Sequence, residues 1–336
     1  MRRALPATAA ALILLATLVS GCSSGQGQPS ANAAATRKDP LLGQSFYVEP
    51  YNPAAEQATE YRAAGQVADA ALIERIATEP TAIWFTGSTN VGAEVEALTQ
   101  RATLAHKSAL LVAYDIPGRD CGSFSAGGAP SAAAYQRWIA AFASGIGERY
   151  ATVVLEPDAI AQALTGCVSG SGAAERYRLL SYGVSVLKAQ PHVSVYIDAG
   201  NLGWVRPPSR LVSPLRSSGI ARADGFALNV SNFYTTAGTT SYGLALSREL
   251  GGAHFVIDTG RNGNGPEGVA DNPLNWCNPP GRALGTAPTT ETSSPLVDAY
   301  LWIKQPGASD GSCGPGEPRA GTWWPEYALA LAQNTH

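Results

Sequence analysis

The sequence is poor in the groups that most hydrolases and metalloproteins use. It has four histidines, at 106, 192, 254 and 336, and they fall in no HExxH pattern, which argues against a zinc hydrolase. GxSxG occurs at 21–25 and 307–311, but the four histidines have no obvious partner, which disfavours a serine hydrolase. The first apolar strand candidate is not followed by GxGxxG, so a dinucleotide fold is disfavoured. Basic residues are not in excess: 23 Lys and Arg stand against 26 Asp and Glu, which offers no grip on nucleic acid. No apolar run reaches membrane-spanning length. No metal and no cofactor is expected.

Cysteine is scarce, but its five positions are informative. Cys22 follows Arg2, Arg3 and the apolar run Ala11 to Val19, the order of a bacterial export signal. The string Val19-Ser20-Gly21-Cys22 resembles a lipobox, which implies cleavage before Cys22 and lipidation of its thiol. Cleavage at Ala31-Asn32-Ala33 would instead release a soluble secreted protein. Both routes lead outside the cytoplasm. Cys121, Cys167, Cys277 and Cys313 remain, an even number for an oxidising compartment, and three pairings are open to them. Their spacing includes no close CxxC pair, which favours disulfides over zinc. The expected organisation is a signal peptide over 1–21, a small-residue polar linker over 22–40 and one catalytic domain over 41–336.

Within that domain, short β-rich runs recur at 82–85, 109–114, 152–155, 193–197, 226–230, 254–257 and 300–303. Stretches with helical spacing separate them, among them 54–78, 91–106, 131–149 and 173–189. Alternating strands and helices imply an α/β fold with a parallel sheet, and seven or eight such units favour a closed or nearly closed barrel. Polar residues follow each strand: Asp115 and Asp120, Glu156 and Asp158, Asp198, Asn229 and Asn232, Asp258 and Arg261, Lys304 and Asp310. Any one of these could simply cap a helix. Together they read as the rim of one site at the carboxyl ends of the strands.

That rim carries acids without a nucleophile-base pair. Glycosidic hydrolysis needs one carboxylic acid to protonate the leaving oxygen and a second group to activate water or attack the sugar. Flat aromatic side chains suit the apolar faces of sugar rings, and Trp84, Tyr114, Trp204 and Trp276 flank the strand ends. Trp138, Trp323 and Trp324 are read as packing residues.

Seven ordered segments carry a resemblance: LLVAYDIPGRDCGSFSAGG at 110–128, VVLEPDAIA at 153–161, VYIDAGNLGW at 195–204, LNVSNF at 228–233, FVIDTGRNG at 255–263, WCNPPGRALG at 276–285 and LWIKQPGASDGSC at 301–313. They resemble glycoside hydrolase family 6, the cellulase family of inverting endoglucanases and cellobiohydrolases. The resemblance implies a distorted seven-stranded parallel β/α barrel with a cleft across its top, and disulfides Cys121–Cys167 and Cys277–Cys313. It makes Asp158 the general acid and Asp120 its helper. Asp310 becomes the base or an electrostatic stabiliser. Asp198 becomes a structural or substrate-binding carboxylate, Tyr114 a residue that enforces ring distortion, and Lys304 and Trp276 glucose contacts. Trp84, Asn201, Trp204, Asn229 and Asn232 complete the expected substrate-binding set.

Two departures stand out, since the family usually reads DAGH where this chain has Asn201, and PGExDG where it has Ala308. The expected activity is endo-acting hydrolysis of β-1,4-glucan by a monomer, because a chain of this length has little room for loops that would roof a tunnel. A mixed-linkage or cell-envelope glucan is an alternative target. A lipid-anchored glucan-binding protein with feeble catalysis is the alternative from a different class, motivated by Asn201 and Ala308.

Overall fold

The computed structural model describes Met1 and residues 39–168, 170–268 and 274–335. Cys22 and the leader and linker expected around it, up to residue 38, lie outside the described residues. Seven strands form a single all-parallel sheet in chain order: β1 Ile83–Phe85, β2 Ala109–Ala113, β3 Ala151–Leu155, β4 Val193–Asp198, β5 Gly225–Leu228, β6 His254–Asp258 and β7 Val297–Leu301. The sheet curls so far that its edges approach, and the residues flanking β1 and β7 are joined by the parallel bridge Thr81–Trp302, where Ala82 N–H donates to the Trp302 carbonyl at 3.0 Å. The result is a distorted, incompletely closed barrel.

Strands β2 to β6 are buried on both faces, which is why their sequences read as nearly continuous apolar runs. Alternate residues still divide: Leu110, Val112, Val154, Tyr196, Ala227, Val256 and Ala299 fill the barrel. Leu111, Val153, Leu155, Val195, Ile197, Phe226 and Phe255 face the helices. Each such Leu, Val or Phe contributes about 1.5–3 kcal/mol by leaving water.

The helices are α1 Pro53–Ala63, α2 Val67–Ala77, α3 Val91–Leu104, α4 Ala132–Ile146, α5 Ala159–Leu164, α6 Ser171–Lys188, α7 Val212–Ser217, α8 Thr236–Glu249 and α9 Pro325–Gln333. The continuous helical stretch expected over 54–78 is two helices, broken at Gly65 with φ +77°. Left-handed backbone ends a helix, and glycine adopts it without steric cost. Asn52 starts α1 by accepting the Ala55 N–H, with Pro53 in the first turn. β7 begins at Val297, three residues before the expected run, because Asp298 interrupts the apolar pattern there. Asp298 is wholly buried and bonded to Tyr196 Oη at 2.6 Å and His254 Nδ1 at 2.5 Å. Trp138 is buried on α4 as expected, whereas Trp323 and Trp324 are only partly covered beside α9.

One buried carboxyl ties β2 to β3. Glu156 has no exposed surface and accepts N–H bonds from Asp115 at 3.0 Å and Ile116 at 2.9 Å, so it fixes the turn that leaves β2. Burial pushes its carboxyl up to about 8, against the opposing pull of those N–H donors.

Gly145 of α4 lies against Gly92 of α3, where a Cβ would strike the Gly92 carbonyl oxygen. Gly145→Ala is therefore expected to cost about 1–3 kcal/mol, read as a lowered Tm with an unchanged circular dichroism spectrum at 25 °C. The folded protein holds the Glu156 proton more tightly than the unfolded chain does. The stability this gives is complete below pH 4.5 and is lost as pH rises through about 8. Glu156→Gln should flatten the fall in urea-unfolding free energy between those limits; an unchanged slope would contradict the assignment.

Candidate active site

A parallel sheet places the carboxyl ends of all its strands on one side, so the residues that follow them converge. Asp198 and Asp258 are the last residues of β4 and β6, and Glu156 and Asp158 follow β3 directly. The backbone here is unusual. Among the described residues eight non-glycine positions have positive φ, and all but His106 lie in these loops: Asp120, Cys121, Glu156, Asp158, Asn229, Ser231 and Asn278. Such conformations cost energy and persist where surrounding contacts impose them, which is common at functional sites.

Asp158 occupies the centre. It precedes α5 in left-handed conformation (φ 71°), retains some exposed surface, and donates its N–H to Asp198 Oδ1 at 2.8 Å. Burial of the carboxyl raises its pKa well above the ordinary value, and the charges of Asp198, Asp120 and Asp310 add to this while Lys304 opposes it. Asp198 is almost wholly buried. Its Oδ1 also accepts the Gly200 N–H at 3.0 Å, its Oδ2 is buried without a partner, and burial pushes the group up to about 7.

Asp120 stands on the loop after β2. Its Oδ2 accepts the Ser125 N–H at 2.6 Å and its Oδ1 the Gln162 amide at 3.3 Å; burial raises its pKa and these donors oppose the rise. The adjacent Cys121 is bonded to Cys167, just beyond α5, with Cα atoms 5.8 Å apart. The loop of Asp120 is thus stapled to the helix that Asp158 begins. Arg119 braces it further, donating to the Tyr114 carbonyl at 2.6 Å and the Ser125 carbonyl at 2.8 Å, with its guanidinium 4.7 Å from the Tyr114 ring.

Asp310 is held differently. Arg261 is 1 % exposed and grips it with two bonds of 2.8 and 2.9 Å, and Lys304 Nζ lies 3.6 Å from Oδ1. Asn278 exchanges bonds with it, donating N–H to Oδ2 at 3.1 Å and accepting the Asp310 N–H at 2.7 Å. The Cys277–Cys313 disulfide, with Cα atoms 6.4 Å apart, closes this segment. Gly311 packs against Phe124 so closely that a side chain would not fit, and the Phe124 ring centroid lies 6.0 Å from that of Trp276. The loops of Asp120 and Asp310 therefore touch. The one acidic and sulfur cluster compact enough for a metal among the described residues is Cys277, Cys313 and Glu317. Both sulfurs are joined to each other, and Glu317 is taken by the N–H groups of Cys313 and Gly314, so it offers no open site.

The remaining expected residues divide. Trp84 and Tyr114 meet edge to face at 5.1 Å, and Trp84 Nε1 donates to the Ile303 carbonyl at 2.8 Å. Trp84, Trp204 and Trp276 are half-buried, leaving ring surface in the open. Lys304 Nζ donates to the Ser309 carbonyl at 3.0 Å. Asn201 and Asn229 are turned inward. Asn201 Oδ1 accepts the N–H groups of Gly203 and Trp204, both at 3.0 Å, and Asn229 bonds Tyr234 and Asp258 backbone. Asn232 bonds the adjacent Phe233 N–H and keeps partial exposure. Ala308 is buried. Arg261, though on the rim, had no assigned partner in the sequence; only the fold brings it to Asp310, 49 residues on. Arg119 lies inside one quoted segment and Gln162 directly after another, and neither carried a signal of its own.

Comparison with known proteins accords with this geometry. The sequence model for Glycosyl hydrolases family 6 matches residues 41–335. Endoglucanase A of Cellulomonas fimi is 45% identical over 294 residues, covering 86% of this chain; the match spans 61% of that longer protein. Endoglucanase 1 of Streptomyces halstedii is 40% identical over 313 residues, covering 90% of this chain and 92% of its own. Among solved structures, the endoglucanase Cel6 of Mycobacterium tuberculosis, in complex with methyl-cellobiosyl-4-deoxy-4-thio-β-D-cellobioside, is 44% identical with a TM-score of 0.82, covering 88% of this chain and 99% of that one. With the seven-stranded parallel barrel and the carboxylates at its open end, these matches establish that the chain belongs to glycosyl hydrolases family 6.

Proposed function

We propose that this protein is an endo-acting β-1,4-glucanase that inverts the anomeric centre. The observation that carries the reading is the environment of Asp158: a partly open carboxyl ringed by Asp120, Asp198 and Asp310, whose proton affinity is raised by burial and by those neighbours. Asp158 gives its proton to the glycosidic oxygen as the bond from that oxygen to the sugar carbon breaks. A water attacks the same carbon from the opposite face, and its proton leaves to a carboxylate. Asp120 is the helper, bearing the charge that keeps Asp158 protonated and receiving protons through water. Asp310 is the base or an electrostatic stabiliser. Having both oxygens bound to Arg261 favours the second role.

Asp198 orients Asp158 through its backbone N–H. Trp84, Trp204, Trp276 and Tyr114 form the sugar platform, and Lys304 contributes a hydroxyl contact. Asn201, Asn229 and Asn232 shape the rim mainly through backbone bonds. The substrate class is a β-1,4-glucan, and the endoglucanase names of the bacterial relatives support internal cutting. The two disulfides fit an exported protein. Export through a leader over 1–21, lipidation at Cys22, a linker to residue 40 and action as a monomer outside the membrane complete the proposal. A glucan-binding role with feeble catalysis has one observation in its favour: neither Asn201 nor Ala308 presents a charged group to substrate.

Asp158→Asn should lower release of reducing sugar from carboxymethylcellulose by about 10²- to 10⁴-fold while retention on insoluble glucan persists. Fresh wild-type products should be α-anomers by NMR. β-products would exclude inversion, and absence of products from the wild type would favour the binding role.

A further inference from the structure

Asp120 receives one side-chain hydrogen bond, and it comes from a residue that the catalytic scheme does not use. Gln162 lies on α5 one turn beyond Asp158, 6 % exposed, and its N–H donates to the Asp158 carbonyl at 2.9 Å. Its side-chain amide spans two loops: Nε2 donates to Asp120 Oδ1 at 3.3 Å, and Oε1 accepts from Arg176 Nη1 at 3.4 Å. Arg176, on α6, is 3 % exposed and also donates to the carbonyls of Ala159, Pro117 and Gly118, at 3.4, 3.1 and 3.0 Å.

A primary amide has a donor end and an acceptor end, and which way it faces depends on its partners. A guanidinium can only donate. Arg176 therefore compels the oxygen of Gln162 to face it, which leaves the amide N–H groups facing Asp120. A donor on a carboxylate oxygen favours the charged form, and a charged Asp120 favours the proton on Asp158. Other charged or titratable groups around the pair are Arg119 and Tyr114 from the β2 loop, Asp198 at the end of β4, and Lys304 and Asp310 beyond β7. None of these is a hydrogen-bond donor to Asp120 Oδ1 in the structure.

We propose that Gln162, its amide turned by Arg176, is a positioning residue that holds Asp120 as the charged partner of Asp158. The relay runs from α6 through α5 to the β2 loop, alongside the Cys121–Cys167 disulfide, where the Cys167 N–H donates to the Gln162 carbonyl at 3.1 Å. This rests on the assignment of Asp158 as acid and Asp120 as its helper.

The test is the pH dependence of kcat and kcat/KM on a soluble cello-oligosaccharide for wild type, Gln162→Met, Gln162→Glu and Asp158→Asn. Gln162→Met keeps the length of the side chain and removes the donor. The acidic limb of its profile should move up by about one pH unit, with KM within about twofold and the rate recovering at higher pH. Gln162→Glu keeps a partner for Arg176, so it guards against a folding failure in the first variant. It sets a carboxylate against Asp120, and its acidic limb should move further up. A uniform loss at every pH, or limbs that overlay the wild type in both variants, would overturn the proposal and leave Gln162 a packing residue. If Asp158→Asn keeps its rate, the acid assignment itself fails. If it loses its rate while the Gln162 limbs stay in place, only the relay fails.

Discussion

Carboxyl groups placed in a poorly solvated cleft resist ionising, and neighbouring like charges add to the cost; this constraint governs the end of the molecule where the strands stop. A parallel sheet gathers Asp120, Asp158, Asp198 and Asp310 on one side. Burial raises the proton affinity of Asp120, Asp158 and Asp198, and at Asp158 the neighbouring charges add to it. The surrounding bonds differ accordingly. Asp310 has a guanidinium across both oxygens, Asp258 accepts four backbone N–H groups, and Asp120 has one N–H on each oxygen. Asp158 has charges of its own sign beside it instead, and with burial they hold its proton affinity well above that of an ordinary carboxyl.

Holding that arrangement takes rigid loops. The left-handed residues at the strand ends stay in place because each is crossed by hydrogen bonds or a disulfide. Glu156 clamps the turn after β2, Cys121–Cys167 joins that loop to α5, and Cys277–Cys313 closes the segment bearing Asp310. Loss of one tie would let a carboxylate move by an ångström or so, enough to change both its charge state and its reach to substrate.

Much of the fold was legible because strands buried on both faces give continuous apolar runs, and all seven were located to within a few residues. The errors have local causes. Gly65 breaks a helical periodicity that otherwise continues across it. Asp298 hides the start of β7, since a buried carboxylate bonded to His254 and Tyr196 looks like a surface residue in the sequence. Of the candidate site, the acids could be named from their motifs. The inward turn of Asn201 and Asn229 could not, since an amide next to a motif gives no sign of whether it bonds a sugar or its own backbone.

By itself the sequence determined the strand and helix alternation, the parallel sheet and hence the end of it where the acids collect, because those follow from periodicity and from the residues after each strand. The tertiary structure alone decided which partners surround each of those acids. That depends on partners far apart in the chain, Arg261 with Asp310 and Arg176 with Gln162, brought within hydrogen-bonding distance only when the barrel curls and its helices pack.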